Sequence, residues 1–408
     1  MAHAHDSLIR FDDTSTESTT MDFKPNDDHV SIREAIGAVC RDFDEHYWLK
    51  KDNEHTFPLD FHQAMARGGW LGIAMPQEYG GSGQGILEAA IMMETVSGSG
   101  AGMSGASALH MNIFGLHPVV VFGTEQQKQR WLPPLIQGDE KACFGVTEPN
   151  TGLNTLALKT QAVRKGDHYV VSGQKIWIST AQVADRILLL ARTTPQEQVQ
   201  SKTEGLTLFY TKLDRDFVDI HEIQKHGRAA VDSNQLFIDE LVVPVEDRIG
   251  EEGQGFRYLL HGLNPERILV AAEAVGLGRA ALRYASRYAQ ERHVFNRPIG
   301  MNQGVQHPLA ERWIELEAAE LMYQKAAWLY DNNESCAAHA NAAKFLASES
   351  GYKACETAVL THGGMGYAKE YHVERLLREA MLPRLAPVSQ NMILCFIAEK
   401  VLGQAKSY

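Results

Sequence analysis

Residues 144–155 read "FGVTEPNTGLNT" and residues 168–179 read "HYVVSGQKIWIS". The second stretch is two β-prone runs around a Ser-Gly turn. The two-residue period continues in "ADRILLLART" (184–193), "GLTLFYTKL" (205–213) and "NQLFIDELVV" (234–243), with the polar stretch 194–204 as an exposed loop.

On both sides of this block the period changes to three and four. "VSIREAIGAVCRDF" (30–43), "FPLDFHQAMARGGW" (57–70) and "GILEAAIMMETV" (85–96) predict helices, as does "TEQQKQRWLPPLI" (124–136), which its two prolines should end. Four longer helical patterns follow Gly250, beginning at Pro265, Pro308, Ala338 and Ser389, and four such helices suit a bundle. The expected fold is α+β: a polar tail or expression remnant over 1–28 with Met21 a candidate start, a helical domain over 29–140, a β-barrel-like domain over 141–250, and a four-helix bundle over 251–408.

The net charge of −12 argues against nucleic acid or an anionic membrane surface as the main partner. No apolar run approaches the roughly 20 residues of a membrane span, and no targeting segment is evident, so the expected location is cytoplasmic, with a mitochondrial matrix or peroxisome open for a eukaryotic source. The five cysteines are scattered without a CxxC pair, and the 17 histidines show no ligand spacing. No protein-bound metal is expected. Two glycine-rich stretches, "YGGSGQG" (79–85) and "SGSGAGMSGAS" (97–107), lack the strand–loop–helix context of a phosphate loop. The first reads as a turn, the second as close helix packing or as room beside a long ligand.

The "FGVTEPNTGLNT" and "SGQKIWIS" segments resemble those of the acyl-CoA dehydrogenase family. Five further stretches fall in that family's order: "AMPQEYGGSG" (74–83), "VVVFGTEQQKQRWLP" (119–133), "LVVPVEDRIGEEGQGF" (241–256), "YAQERHVFNRPIGMNQ" (288–303) and "THGGMGYAKEYHVERLLREA" (361–380). The resemblance implies FAD as cofactor. It places Phe144, Val146 and Thr147 against the flavin, Trp177 beside the ring and Ser179 near N5, whereas the ordinary role for Trp177 is that of a core aromatic in the sheet. Arg292, Phe295 and Gln303 correspond to residues by which a neighbouring subunit holds the FAD pyrophosphate and adenine, and Gly363 and Gly364 to a backbone approach to the same cofactor. A homotetramer built as a dimer of dimers is implied. Two positions depart from the pattern: Gly152-Leu153-Asn154 replaces Gly-Ser-Asp, which leaves only a backbone contact at Leu153, and Leu360 replaces a glutamine.

The usual catalytic glutamate of the family falls in "LPRLAPVSQ" (382–390), which has no carboxylate. Aligned without gaps the position is Pro387; aligned on Ser-Gln it is Ala386, which unlike proline has an N–H to polarise a thioester carbonyl. The isovaleryl-CoA and long-chain acyl-CoA dehydrogenases carry the base elsewhere, in a Glu-Arg pair that Glu266-Arg267 of "LNPER" (263–267) matches. Two readings of Glu266 stand. Asn264 and Pro265 are a good helix cap and first helical residue, with Glu266 complementing the dipole. Alternatively Glu266 is the base, and Leu263, Asn264 and Arg267 border the substrate. The resemblance then implies that Glu266 takes the α-proton of an acyl-CoA while a β-hydride passes to flavin N5, giving a trans-2-enoyl-CoA, with an electron-transfer flavoprotein as acceptor. An oxygen-using relative (an acyl-CoA oxidase or flavin monooxygenase) and a catalytically silent scaffold are the alternatives.

Overall fold

The computed structural model describes residues 26–407, without the side chains of residues 112 and 114. Most of the expected tail therefore lies outside the described residues. Asn26 is already a helix cap, accepting from the His29 N–H at 2.7 Å, and Asp27 and Asp28 occupy the first turn.

Among the described residues the first region holds seven α-helices: α1 (Asp27–Arg41), α2 (Glu45–Glu54), α3 (Leu59–Arg67), α4 (Ile86–Val96), α5 (Gly102–His110), α6 (His117–Phe122) and α7 (Glu125–Ile136). A capping box starts α7, in which Thr124 and Gln127 satisfy each other's backbone N–H. Pro133 and Pro134 do not end this helix. They lie inside its last turn, which continues to Ile136 without their two N–H groups.

The middle region holds β1 (Ala142–Gly145), β2 (Gln161–Lys165), β3 (His168–Ser179), β4 (Arg186–Arg192), β5 (Leu206–Lys212), β6 (Val218–Glu222), β7 (Ser233–Pro244) and β8 (Arg248–Ile249). Their order is β6-β7-β3-β2-β4-β5-β8, with β1 parallel to β4. The path is open, ending at β6 and β8. The Ser-Gly pair makes no turn: β3 runs unbroken through it, and the register against β7 shifts between Val171 and Gly173 and again between Lys175 and Ile178. A bulge lets one strand carry the extra residue without reversing. Successive residues of β4 serve opposite cores. Leu188 and Leu190 pack with Trp131 and Leu132 of α7, while Ile187 and Leu189 pack with Tyr169 and Phe209 on the other face.

The last region begins with α8 (Gly255–Glu291). A hairpin of β9 (His293–Val294) and β10 (Arg297–Pro298) leads to α9 (Gln303–Asp331), α10 (Ala337–His362), α11 (Val373–Ala380), α12 (Leu382–Leu385) and α13 (Gln390–Lys400). The α8 helix packs on α4, α9 and α10, and Gly276 lets α4 approach its backbone: a Cβ there would lie 2.2 Å from the Glu94 carbonyl oxygen. The second glycine-rich stretch is thus a site of close packing, with Gly98 facing Gly276. Residues 373–400 are apolar enough by composition to cross a membrane, but the helices break after Leu385 and resume at Gln390.

Two buried ion networks lock these layers. Glu94 on α4 accepts from Arg33 of α1, Arg279 of α8 and Tyr323 of α9. Arg375 and Glu379 on α11, both fully buried, pair at 3.1 Å and hold the 100–104 backbone through Gly100, Ala101 and Ser104.

Candidate active site

At the end of β3 the second register shift turns Trp177 out of the sheet. Its φ is +62° and its side chain is 57% exposed, so it is not a core aromatic. A strained backbone of this kind costs energy that the surroundings must supply. Lys175 supplies part of it. Fully buried, its ammonium donates to the Val146 carbonyl at 3.0 Å, the Leu190 carbonyl at 2.8 Å and Glu148 at 3.0 Å. Glu148 also accepts from the Lys159 and Thr160 N–H groups. Burial, partly offset by Glu148, lowers the Lys175 pKa to about 8. The "TEP" loop is thereby tied to β3 and β4, and Thr147 accepts from the Ile176 N–H at 2.9 Å. Val146 is buried, and Phe144 is half-buried between the sheet core and the helical core. Leu153 is 60% exposed beyond them.

Glu266 does not start a helix. Asn264 and Pro265 lie inside the 37-residue α8, whose N-cap is Gln254. Glu266 is about three turns from the positive end, beyond the reach of the helix dipole. It is buried, and its carboxylate has no hydrogen-bond partner among the described residues. Burial drives its pKa up to about 7, against the attraction of His110, Arg267 and Lys344; Glu273 adds to the rise. Arg267 makes no ion pair among the described residues; it donates to the Leu263 carbonyl at 3.1 Å and Asn264 Oδ1 at 3.2 Å on its own helix.

Two sets of polar contacts lie between these two places, both reaching α5. Ser179 Oγ accepts from Arg228 Nη2 at 2.9 Å, and Arg228 Nη1 reaches Ser107 Oγ on α5 at 3.2 Å. One turn along α5, His110 Nδ1 meets Glu273 Oε1 at 2.6 Å, and Glu273 lies two turns from Glu266 on α8. Because Ser179 accepts from Arg228, its O–H proton remains to be donated. On the far side of Glu266, Lys344 of α10 is buried and donates to the Val388 carbonyl at 2.6 Å. It ties down the segment that follows α12. Burial lowers its pKa to about 8.

Ala386 departs from expectation. Its N–H closes the last turn of α12 by donating to Leu382 at 3.0 Å, so it is not a free donor for a thioester.

Arg292, Phe295, Gln303, Gly363 and Gly364 gather at one end of the bundle, where Tyr288 of α8 stacks on His362 of α10 at 4.3 Å. All five are exposed. Phe295 is 95% exposed on the tip of the β9–β10 hairpin, and Gly363 has a φ of +60° with nothing within 4 Å of where a Cβ would be. Leu360 beside them is 73% exposed.

Sequence reasoning missed Lys175, Glu148, His110, Arg228, Glu273 and Lys344. A signal existed for three of them: Lys175 shares a strand face with Tyr169 and Val171, while Glu273 and Lys344 are lone charges in "ILVAAEAVGLG" and "NAAKFLAS".

Three family models match the chain: the acyl-CoA dehydrogenase N-terminal domain at residues 26–139, the middle domain at 143–241 and the C-terminal domain at 253–402. The acyl-CoA dehydrogenase FadE12 of Mycobacterium tuberculosis is 35% identical over 395 residues, covering 96% of this chain and all of the relative. The Caffeyl-CoA reductase-Etf complex subunit CarC of Acetobacterium woodii is 34% identical over 84% of this chain and 91% of its own length. Among solved structures, a glutaryl-coenzyme A dehydrogenase in complex with glutaryl-CoA superposes with a TM-score of 0.88 at 31% identity, covering 95% of this chain and 98% of that one. The butyryl-CoA dehydrogenase of Megasphaera elsdenii does so with a TM-score of 0.89 at 27% identity, over 94% and 100%. The chain belongs to the acyl-CoA dehydrogenase family, oxidoreductases that act on acyl-CoA thioesters with a flavin.

Proposed function

We propose that this chain dehydrogenates an acyl-CoA thioester between its α and β carbons, with Glu266 as the base that takes the α-proton and a trans-2-enoyl-CoA as product. The observation that carries the reading is a buried carboxylate with no hydrogen-bond partner, near neutrality, in the interior of a long helix. A base poised near the working pH is half-ionised when substrate arrives and still strong enough to take a proton. Lys344, Arg267 and His110 offset the charge that Glu266 would otherwise carry alone.

The residues present fit FAD. Trp177 offers an exposed aromatic face, Ser179 an O–H, Thr147 a backbone edge fixed by Lys175, and Gly363 an open backbone. FAD, when bound, supplies the acceptor for the β-hydride. The exposure of Arg292, Phe295 and Gln303 in a single chain supports their use by a neighbouring subunit in a homotetramer. Reoxidation by an electron-transfer flavoprotein is supported by the relative named as part of an Etf complex. The Ala386 N–H polarises the thioester carbonyl only if its bond to Leu382 opens, so this contact belongs to the substrate-bound state.

Two outcomes follow. The kcat/KM for dehydrogenation rises with pH through about 7 and levels off above it, because only ionised Glu266 accepts the proton; a profile flat from pH 5.5 to 8.5 contradicts this. The Arg292→Ala variant keeps its fold but holds FAD at least about tenfold more weakly, as expected for loss of a charged phosphate contact, seen as flavin lost on gel filtration. Retention equal to the wild type contradicts the shared-cofactor reading.

A further inference from the structure

Glu273 is a carboxylate in an otherwise apolar helical run, 1% exposed. Burying a charge there costs free energy that only partners can offset. The other buried acids of this region are used up: Glu94 meets two arginines and a tyrosine, and Glu379 meets Arg375 and Ser104. Glu273 is different. Its Oε1 meets His110, but its Oε2 has no partner among the described residues and is not sealed from solvent-sized space.

Residual exposure traces where that oxygen looks. Along α8, Leu269, Ala271 and Ala272 are completely buried, whereas Glu266 keeps 8% and Val270 keeps 7%. These two and Glu273 follow one another at helical spacing on a single face. The His110 side chain, 14% exposed, completes the opposite wall from α5. One face of α8 therefore leads from the proposed base to the unpartnered oxygen of Glu273. The two carboxyl-bearing residues are seven apart, about 10 Å along the axis.

We propose that the acyl chain runs along this face and carries a hydroxyl group, well beyond the reacting carbons, that donates its hydrogen bond to Glu273 Oε2. This inference rests on the acyl-CoA reading above. A plain hydrocarbon would displace water from a carboxylate oxygen and give it no donor in return. A keto group offers only an acceptor. A carboxyl group would bring a further negative charge against Glu273 and Glu266, and an ammonium would meet Arg228 and His110, whose pKa Glu273 raises against the effect of burial. The neutral donor is the group that suits every neighbour.

The test compares matched acyl-CoA thioesters that are plain, hydroxylated, oxidised to a ketone at the same distal carbon, or ω-carboxylated. Binding is measured by calorimetry and turnover by anaerobic bleaching of the flavin, using the FAD-loaded enzyme. The hydroxylated chain is expected to lead the plain and keto chains by about 10- to 100-fold in affinity and in kcat/KM. In Glu273→Leu that lead falls to parity or reverses. Should this variant not fold, Glu273→Gln keeps the shape and adds a donor, and the keto chain should gain on the hydroxylated one. Equal binding of plain and hydroxylated chains by the wild type, or a preference unchanged in both variants, overturns the proposal. A hydroxyl preference that depends on Glu273 without any bleaching would sustain the proposal and sink the dehydrogenase reading; bleaching without the preference would do the reverse.

Discussion

The Glu266→Gln variant should bleach its flavin with acyl-CoA about 10²- to 10⁴-fold more slowly than the wild type, and above pH 7 it should unfold at a higher temperature. Both effects come from the same burial. The folded enzyme holds Glu266 at about pKa 7 against an ordinary value of 4.5. Between those values the folded state keeps a proton that the unfolded chain has released, so stability falls as the pH rises through that window. Glutamine cannot ionise and escapes the penalty, which is on the order of 1–3 kcal/mol above pH 7. Gain of stability with loss of rate is the signature of a strained functional group. Thermal unfolding of both proteins at pH 5 and pH 8 checks the stability gain, since the gap should be several-fold larger at pH 8. A variant that is slow because it is misfolded would be less stable at both.

The second large effect concerns the loop proposed to face the flavin. Lys175→Met should destabilise the protein by about 3–5 kcal/mol, because Glu148 is left buried without its cation. The Val146 and Leu190 carbonyls lose their donor as well. Urea unfolding measures this, and visible flavin absorption should fall with it as residues 146–148 loosen. Combining Lys175→Met with Glu148→Gln should recover part of the loss, since an apolar side chain facing a neutral amide is cheaper than a lone charge. A change below about 1 kcal/mol in the single variant would show that the ion pair is dispensable.

The α, β, α order was legible because periodicity reports burial and both sheet faces are buried. β4 and β5 read as nearly continuous apolar runs for that reason. What misled was local chemistry overruled by packing. Asn264-Pro265 has the form of a helix start, yet α8 begins at Gly255 because its first turns bury Tyr258 and Leu259 against the core formed by α7, β4 and β5. Ser172-Gly173 has the form of a turn, yet the strand continues because its partner β7 is as long. Of the proposed site, Glu266 was singled out through a resemblance. His110 and Arg228 were not, since their roles depend on which distant side chain each meets, and no spacing along the chain records that. Ala386 shows the same limit: having an N–H was readable, but the helix turn that uses it was not.

The most direct test of Glu266 as the base separates proton removal from oxidation. An acyl-CoA analogue whose α-proton is acidic but whose β position carries no transferable hydrogen is incubated with enzyme in D₂O, and deuterium uptake at the α carbon is followed by mass spectrometry. If Glu266 is the base, uptake is catalysed by the wild type and lost in Glu266→Gln, with the flavin still bound in both. Uptake at the same rate in the variant would contradict it and move the base to another residue.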